Sequence, residues 1–283
     1  MKLLATVCAL VFLCAHPPIH NTPTYELSEA INKGMVTVEV KKTPESTHYF
    51  EPLSITVTNL TSKKINITIP NGQLFVSTDP EVQDIITTEA NDLIVTNTPV
   101  TKAIQGMCVQ SNNRAPRDED TYSAGKVASG NLLKLTQEIE QTKSFNSIAQ
   151  HAIWAITDNH SVEDIYSLDD ENNTGTHFQS FTREVLGVST QEKIRSIPAT
   201  DKPKRTMGGT FTYYFSQPSS VSIAIFNDKN VVVRELFQES QKKAGEHNFD
   251  FQFDASDFPE DLYFVKLIIN DRVKINKRLI RKT

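Results

Sequence analysis

Apolar residues recur at every second position in two separate parts of this chain, and this period constrains the fold more than any other feature. Val36, Val38 and Val40 give the first example, and similar runs return near the end of the chain. A period of two places alternate side chains on opposite faces of a strand, so that one face can be buried. Because turn residues separate the short runs, we predict one Ig-like β-sandwich over residues 26–126 and another over residues 208–283.

Between the two alternating blocks, the apolar residues take the spacing of a helix. Leu132, Leu135 and Ile139 lie three and four positions apart. We therefore predict a unit of about four short helices over residues 127–187, packed on the first sandwich. Residues 188–207 contain two prolines beside charged residues, are followed by two glycines and have no sustained period, which indicates a linker. The predicted fold class is mainly β with an α-helical insert.

The first residues have the features of a secretory signal peptide. Lys2 precedes an apolar run that ends near Ala15, and prolines follow. The run is shorter than the roughly 20 apolar residues that a helix needs to span a bilayer. We therefore predict that residues 1–15 are removed on export and that the mature protein has no membrane-spanning segment.

The cysteines fit this assignment. Cys8 and Cys14 lie in the apolar run, which leaves Cys108 as the only cysteine of the mature chain. A lipid on Cys14 is an open alternative, although Leu13 is not the small residue that normally precedes a lipidated cysteine. With one cysteine the mature protein cannot form an internal disulfide, so packing must stabilise its fold.

Three stretches of the C-terminal block follow each other in a characteristic order. They are the turn "NDKN" at 227–230, the strand "GEHNFDFQFD" at 245–254 and the basic end "VKINKRLIRK" at 273–282. In this order they resemble the type A sorting domain of the type IX secretion system of Bacteroidetes, which is similar to the Ig-like domain of flagellar hook-capping proteins. Asn230 and Asp261 stand where that family usually has glycine, and asparagine tolerates a left-handed backbone well.

This resemblance implies an export route and a binding partner rather than an enzymatic activity. The partner is the type IX secretion machinery, which would act on the C-terminal domain. The protein would pass through the periplasm and end as a secreted protein or at the outer-membrane surface. The resemblance implies nothing about the N-terminal region, for which we expect an unknown surface or host ligand.

The stretch "AQHAIW" contains the only tryptophan of the chain, Trp154. It resembles the T-Q-x-A-x-W motif of thioester domains in surface adhesins of Gram-positive bacteria, with Gln150, Ala152 and Trp154 matching and Ala149 in place of the threonine. In that family a cysteine sulfur and the glutamine carbonyl carbon form an internal thioester that traps amines. The resemblance implies that Cys108 and Gln150 would form such a bond here.

A structural interpretation of the same stretch is favoured. Ala149, Ala152, Ile153 and Ile156 form a packing stripe on a helix, and Trp154 lies at its edge. Gln150 is then a polar side chain on the outer face of the helix or is bonded to the end of a strand. Cys108 is then a small buried apolar residue.

Other features exclude further classes of function. The net charge of −5 gives no basic stripe for nucleic acid. The histidines are scattered without the spacing of metal ligands, and the chain has no Walker, G-x-S-x-G or dinucleotide motif. We therefore predict no enzymatic activity, no metal and no cofactor. The expected protein is an exported non-enzymatic binding or structural protein. A thioester adhesin is the alternative, and a hydrolase using the acidic stretch at 167–173 is the least favoured one.

Overall fold

The computed structural model describes residues 22–166, 173–188, 206–254 and 262–280. The predicted signal peptide, linker residues 189–205, most of the acidic stretch and Asp261 lie outside these ranges. The chain is mainly β, with Ig-like β-sandwiches and a small helical unit, which confirms the predicted fold class.

The first sandwich contains ten strands and one short helix. They are β1 (Thr24–Glu26), α1 (Leu27–Asn32), β2 (Val36–Lys42), β3 (Leu53–Asn59), β4 (Ile65–Ile69), β5 (Gln73–Ser77), β6 (Ile85–Thr87), β7 (Asn91–Val95), β8 (Val100–Ile104), β9 (Gly106–Cys108) and β10 (Tyr122–Val127). The sheet orders are β1–β4–β7, β2–β3–β8 and β10–β5–β6–β9. The predicted alternation is visible in β4, where Ile65, Ile67 and Ile69 are buried and the residues between them are half-buried.

The helical unit follows β10 directly. It consists of α2 (Gly130–Thr142), α3 (Ser147–Thr157), a 3-10 turn (Val162–Asp164) and α4 (Thr174–Leu186). The side chain of Asn146 caps α3 by accepting a hydrogen bond from the Ala149 N–H at 3.0 Å. Gly187 ends α4 with a left-handed φ of 69°, a conformation that favours glycine.

Helix α3 is buried on every side rather than along one stripe. Its first nine residues, Ser147–Ala155, are all buried. A helix that is covered all round must have neighbours on more than one face. The first sandwich, α2 and α4 supply some of these neighbours, and the second sandwich supplies the rest.

The second sandwich has six strands in two sheets. They are β11 (Thr206–Phe215), β12 (Ser219–Asn227), β13 (Val232–Lys242), β14 (Gly245–Asp254), β15 (Leu262–Ile269) and β16 (Arg272–Ile280). The sheet orders are β11–β14 and β13–β12–β15–β16. Phe211, Ile223 and Val265 belong to the core between these sheets.

The four-stranded sheet is buried on both faces where it meets the rest of the molecule. In β12, Ile223 and Ile225 point into the core of the second sandwich. Ala224 and Phe226, which alternate with them, belong to the same hydrophobic cluster as Trp154. The two sandwiches therefore share a continuous core. The reason is that from Ile223 to Phe226 both faces of β12 are apolar.

Candidate functional site

Cys108 and Gln150, which the sequence analysis selected as a pair, lie against each other. Cys108 ends β9, which is an edge strand of its sheet, and Gln150 lies on α3. The Gln150 Nε2 donates to the Cys108 carbonyl at 2.8 Å, and the Gln150 Oε1 accepts from the Cys108 N–H at 2.9 Å. The amide thus pairs with the free edge of β9 as a neighbouring strand would. The structural alternative in which Gln150 is bonded to a strand describes this geometry.

The surroundings of this pair favour a stable contact over a reactive one. Both residues have no exposed surface. Burial raises the pKa of the Cys108 thiol well above its ordinary value, and the charge of Asp84 adds to the shift. A thiol with a raised pKa stays protonated and is a poor nucleophile. The contact satisfies two backbone groups that would otherwise be buried without partners.

A second polar cluster lies where the two sandwiches meet. Its first component is the loop of residues 43–52 between β2 and β3, which we call the docking loop. Loops normally run over the surface, but His48 and Tyr49 in this loop are only 2% and 4% exposed. The His48 ring stacks on Trp154 with centroids 5.7 Å apart, and the Tyr49 ring stacks on Phe226 at 6.2 Å. We call the surface formed by these residues and Val232 the sandwich interface.

His48 connects the docking loop to the backbone of the second sandwich. Its Nε2 accepts a hydrogen bond from the Val232 N–H at 2.8 Å. An imidazole nitrogen that accepts carries no proton, so the neutral ring has its proton on Nδ1. Burial lowers the pKa of His48 to about 3, with smaller contributions from Lys266 and His151. His48 is therefore neutral at physiological pH.

Glu235 on β13 faces the first turn of α3. Its carboxyl group accepts a hydrogen bond from the Ser147 hydroxyl, and the side chain is 1% exposed. A carboxylate is favourable at the N-terminus of a helix, where N–H groups are free. Burial outweighs this effect and raises the pKa of Glu235 to about 7, against the lowering effect of Ser147 and Ser222. The sandwich interface therefore contains an acid that titrates near neutral pH.

Lys266 on β15 is a buried amine at the same interface. It donates a hydrogen bond to the side chain of Asn230, and its Nζ lies 4.2 Å from the centre of the Phe226 ring. Burial lowers the pKa of Lys266 to about 8, and the charge of Lys42 lowers it further. The aromatic face attracts the cation, and this attraction offsets part of the hydration that burial removes.

Backbone hydrogen bonds and ion pairs surround these buried groups. The Val273 N–H donates to the Glu45 carbonyl at 2.8 Å, and the Ala115 N–H donates to the Lys229 carbonyl at 3.0 Å. The ion pairs are Arg272–Glu51 at 2.9 Å and Lys274–Glu45 at 3.1 Å. Contacts of several kinds therefore hold the second sandwich against the docking loop.

Three of the histidines that are scattered in the sequence lie close together in the structure. The rings of His48, His151 and His160 have centroids 5.7, 5.3 and 5.9 Å from that of Trp154. Within the described parts of the chain, no three or more His, Cys, Asp or Glu residues are grouped to hold a metal ion. Burial lowers the pKa of His151 to about 3, with Arg234 as the next cause, so this ring is neutral as well.

Sequence reasoning missed the docking loop and Glu235. The loop has no periodic pattern, although the aromatic run His48-Tyr49-Phe50 between two prolines is an available signal. A run of aromatic side chains in a turn-bounded loop indicates contact with another surface. Glu235 stands in an apolar strand and carries no local signal at all.

Comparison of the chain with protein-family models, with curated proteins and with solved structures finds no match. The site geometry must therefore carry the functional argument. Among the residues that the structure describes, no helix has the length and apolar character needed to cross a membrane.

Proposed function

We propose that this protein is an exported, non-enzymatic cell-surface or secreted protein with a binding or structural function, and that its C-terminal sandwich directs type IX secretion. The observation that carries the sorting function is the position of β16. This last strand lies at the edge of the sheet β13–β12–β15–β16. It exposes Lys274, Lys277 and Arg278.

An edge strand with basic side chains is suited to recognition by another protein. Beyond Val273, whose N–H is bonded to the Glu45 carbonyl, the outer edge of β16 can pair with an added strand, and its charges can select an acidic partner. Lys277 is already held by a hydrogen bond to the Thr210 carbonyl at 3.0 Å. Arg278, one position further, is exposed. It is therefore the basic residue of β16 best placed to meet a partner.

The turn at Asn230 also supports the resemblance to sorting domains. Asn230 has a φ of 64°, in the left-handed region. This is the backbone conformation for which the family uses glycine, and asparagine is among the residues that tolerate it.

A non-enzymatic function is supported by where the shifted titratable groups lie. Glu235 and His48 are buried in the sandwich interface and bonded to Ser147 and Val232. The His48 bond joins the two sandwiches, and the Glu235 bond joins the second sandwich to the helical unit. Burial in the interface therefore explains the shifted pKa of each group without a substrate.

The sorting function is tested with a charge variant of the whole chain. Arg278→Glu combined with Arg281→Glu reverses the charge of the C-terminal end, and Lys102→Glu combined with Lys126→Glu makes the same charge change on β8 and β10. In a host with type IX secretion, we expect the first variant to accumulate in the periplasm and the control to reach the surface. Both should melt like the wild type. Normal surface delivery of the first variant would show that the C-terminal end is not the signal.

The thioester adhesin remains the second candidate, because the Gln150 amide touches Cys108 in a dry environment. Attack of the Cys108 sulfur on the Gln150 Cδ would form the S–C bond, break the C–N bond and release the nitrogen, with the thiol proton, as ammonia. Intact-mass measurement of the wild type and of Cys108→Ser distinguishes the two candidates. We expect each chain to have its full sequence mass after signal-peptide removal. A wild-type mass short by one ammonia, with a full mass for Cys108→Ser, would favour the adhesin.

A further inference from the structure

A cleft opens beside the sandwich interface, where three parts of the chain meet. Phe50 of the docking loop, Phe145 of the connection between α2 and α3, and residues of β12 and β13 line it. The cleft has a volume of about 170 Å³. Binding sites occur preferentially at such junctions between packed units.

Part of the cleft lining is apolar. The rings of Phe50 and Phe145 meet edge to face with centroids 6.5 Å apart. Ile268, which is 5% exposed, also lines the cleft. An aromatic wall of this kind favours a flat ligand face made of C–H groups.

Hydrogen-bonding groups also line the cleft. Gln238 and Ser240 supply an amide and a hydroxyl group, and Asp271 supplies a carboxyl group. Burial raises the pKa of Asp271 to about 6, and the charge of Glu51 acts in the same direction. The lining thus contains donors and acceptors that can contact a ligand with several hydroxyl groups.

Several residues around the cleft have a left-handed backbone. Glu51, Lys143, Asn270 and Asp271 have φ values of 40°, 53°, 46° and 64°. Non-glycine residues in this region are uncommon and concentrate at ligand sites and turns. Asn270 and Asp271 form the turn between β15 and β16, and Lys143 is the C-cap of α2, whereas Glu51 has neither role.

Size and charge restrict what the cleft can take. It is smaller than the roughly 300–1,000 Å³ of sites for drug-sized ligands, so it fits a single ring. Asp271 disfavours an anion, Glu239 is paired with Lys242 at 2.8 Å, and Lys143 is paired with Glu89 at 2.7 Å. The polar groups of the lining disfavour a ligand that is apolar on all sides.

We propose that this cleft binds one pyranose ring of a neutral sugar. The C–H face of the ring packs against Phe50 and Phe145, and the hydroxyl groups bond to Gln238, Ser240 and Asp271. The same ring can come from a free sugar or from the end of a glycan chain. This inference does not depend on the secretion route.

The test uses the whole protein and two matched variants. Ser240→Arg fills the cleft from an exposed position on β13, and Ser123→Arg makes the same change at an exposed position on β10. Saturation-transfer NMR with the methyl glycosides of glucose, galactose, mannose and N-acetylglucosamine measures binding of the single ring. Beads that display glycans ending in the same sugars measure binding of a chain end.

We expect at least one methyl glycoside to bind the wild type and Ser123→Arg but not Ser240→Arg. Retention of the wild type on beads but not by free glycosides would assign the site to glycan ends. Phe145→Ala provides a second variant if Ser240→Arg does not fold, and it should weaken binding up to about tenfold. The proposal is wrong if no sugar binds in either form, or if binding is the same in Ser240→Arg or Phe145→Ala as in the wild type.

Discussion

The contact between Gln150 and Cys108 and the cluster around Glu235 and His48 are both buried, polar and built on α3, but they differ in two respects. The first is made of neutral amide groups within the first sandwich and the helical unit. The second contains groups that titrate and joins the two sandwiches. The stability of a neutral contact does not depend on pH, whereas titratable groups make the stability of the sandwich interface depend on pH.

The largest effect is expected at Trp154, because it packs in the shared cluster and stacks on His48. Trp154→Ala should lower the free energy of unfolding by about 3–5 kcal/mol. Trp154→Phe should cost clearly less, because the indole N–H has no hydrogen-bond acceptor among the described residues. Urea unfolding measures both variants. Equal losses would mean that the indole N–H, not the ring volume, is important.

The pH dependence of Glu235 distinguishes the titratable cluster from the neutral contact. Its folded pKa, about 7, lies above the ordinary value of 4.5. Its contribution to stability is therefore present below pH 4.5 and is lost as the pH rises through 7. The loss is on the order of 3 kcal/mol.

Glu235→Gln should remove this contribution, so the stability of the wild type relative to the variant should fall as the pH rises from 4.5 to 8, which urea unfolding of both proteins measures. Below pH 6.5, His48 and His151 act in the opposite direction in both proteins and cancel in this difference. Asp271 shifts in the same direction, with a pKa of about 6, so part of the decline should persist in the variant. Gln150→Ala is the matched control and should keep the full slope. Parallel curves for the wild type and Glu235→Gln would contradict the assignment.

From the two buried histidines we predict that the protein loses stability at acidic pH. The folded pKa values of His48 and His151 are about 3, below the ordinary value of 6.5. Their neutral forms therefore stabilise the fold above pH 6.5, and this stability is lost as the pH falls towards 3. His48→Gln, which removes the titrating ring, should reduce the acid sensitivity. A variant as acid-sensitive as the wild type would argue against His48 as its source.

Gln150→Ala tests the neutral contact and should lower stability by about 2–3 kcal/mol, because it leaves the buried N–H and C=O of Cys108 without partners. Gln137→Ala on the exposed face of α2 is the control and should change stability by less than about 0.5 kcal/mol. Chemical denaturation at pH 7 measures both. Equal, small effects would show that another group forms hydrogen bonds with the edge of β9 in the variant.

The smallest effect is expected from the peripheral ion pair of Lys274 and Glu45, whose side chains are 46% and 62% exposed. Solvent and salt screen such pairs, so Lys274→Ala should cost less than about 1 kcal/mol and less still at high salt. Thermal melts at low and high salt measure this. A large loss of stability would mean that the exposed ion pairs stabilise the sandwich interface more than its buried groups do.

Much of the fold follows from local patterns. The two-residue period of β4, the helical spacing of Leu135 and Ile139, and Gly187 at the end of α4 are all recognisable in the sequence, because each reflects contacts with near neighbours. The continuous apolar run in β12 also indicates burial on both faces. It does not reveal what covers the second face.

The partners of the buried polar groups depend on the tertiary structure. The His48 hydrogen bond joins residues 184 positions apart, and the Glu235 bond joins residues 88 positions apart. A local period carries no information about such distant residues. The Cys108–Gln150 pair was found because "AQHAIW" resembles a thioester motif and Cys108 is the only cysteine outside the predicted signal peptide. A bond from Gln150 to the end of a strand was one of two expectations, and only the structure chose it and its partner. The sequence by itself determined where strands and helices form, because their periods are local. Only the tertiary structure decided which polar groups became buried together, because desolvation depends on what packs around them.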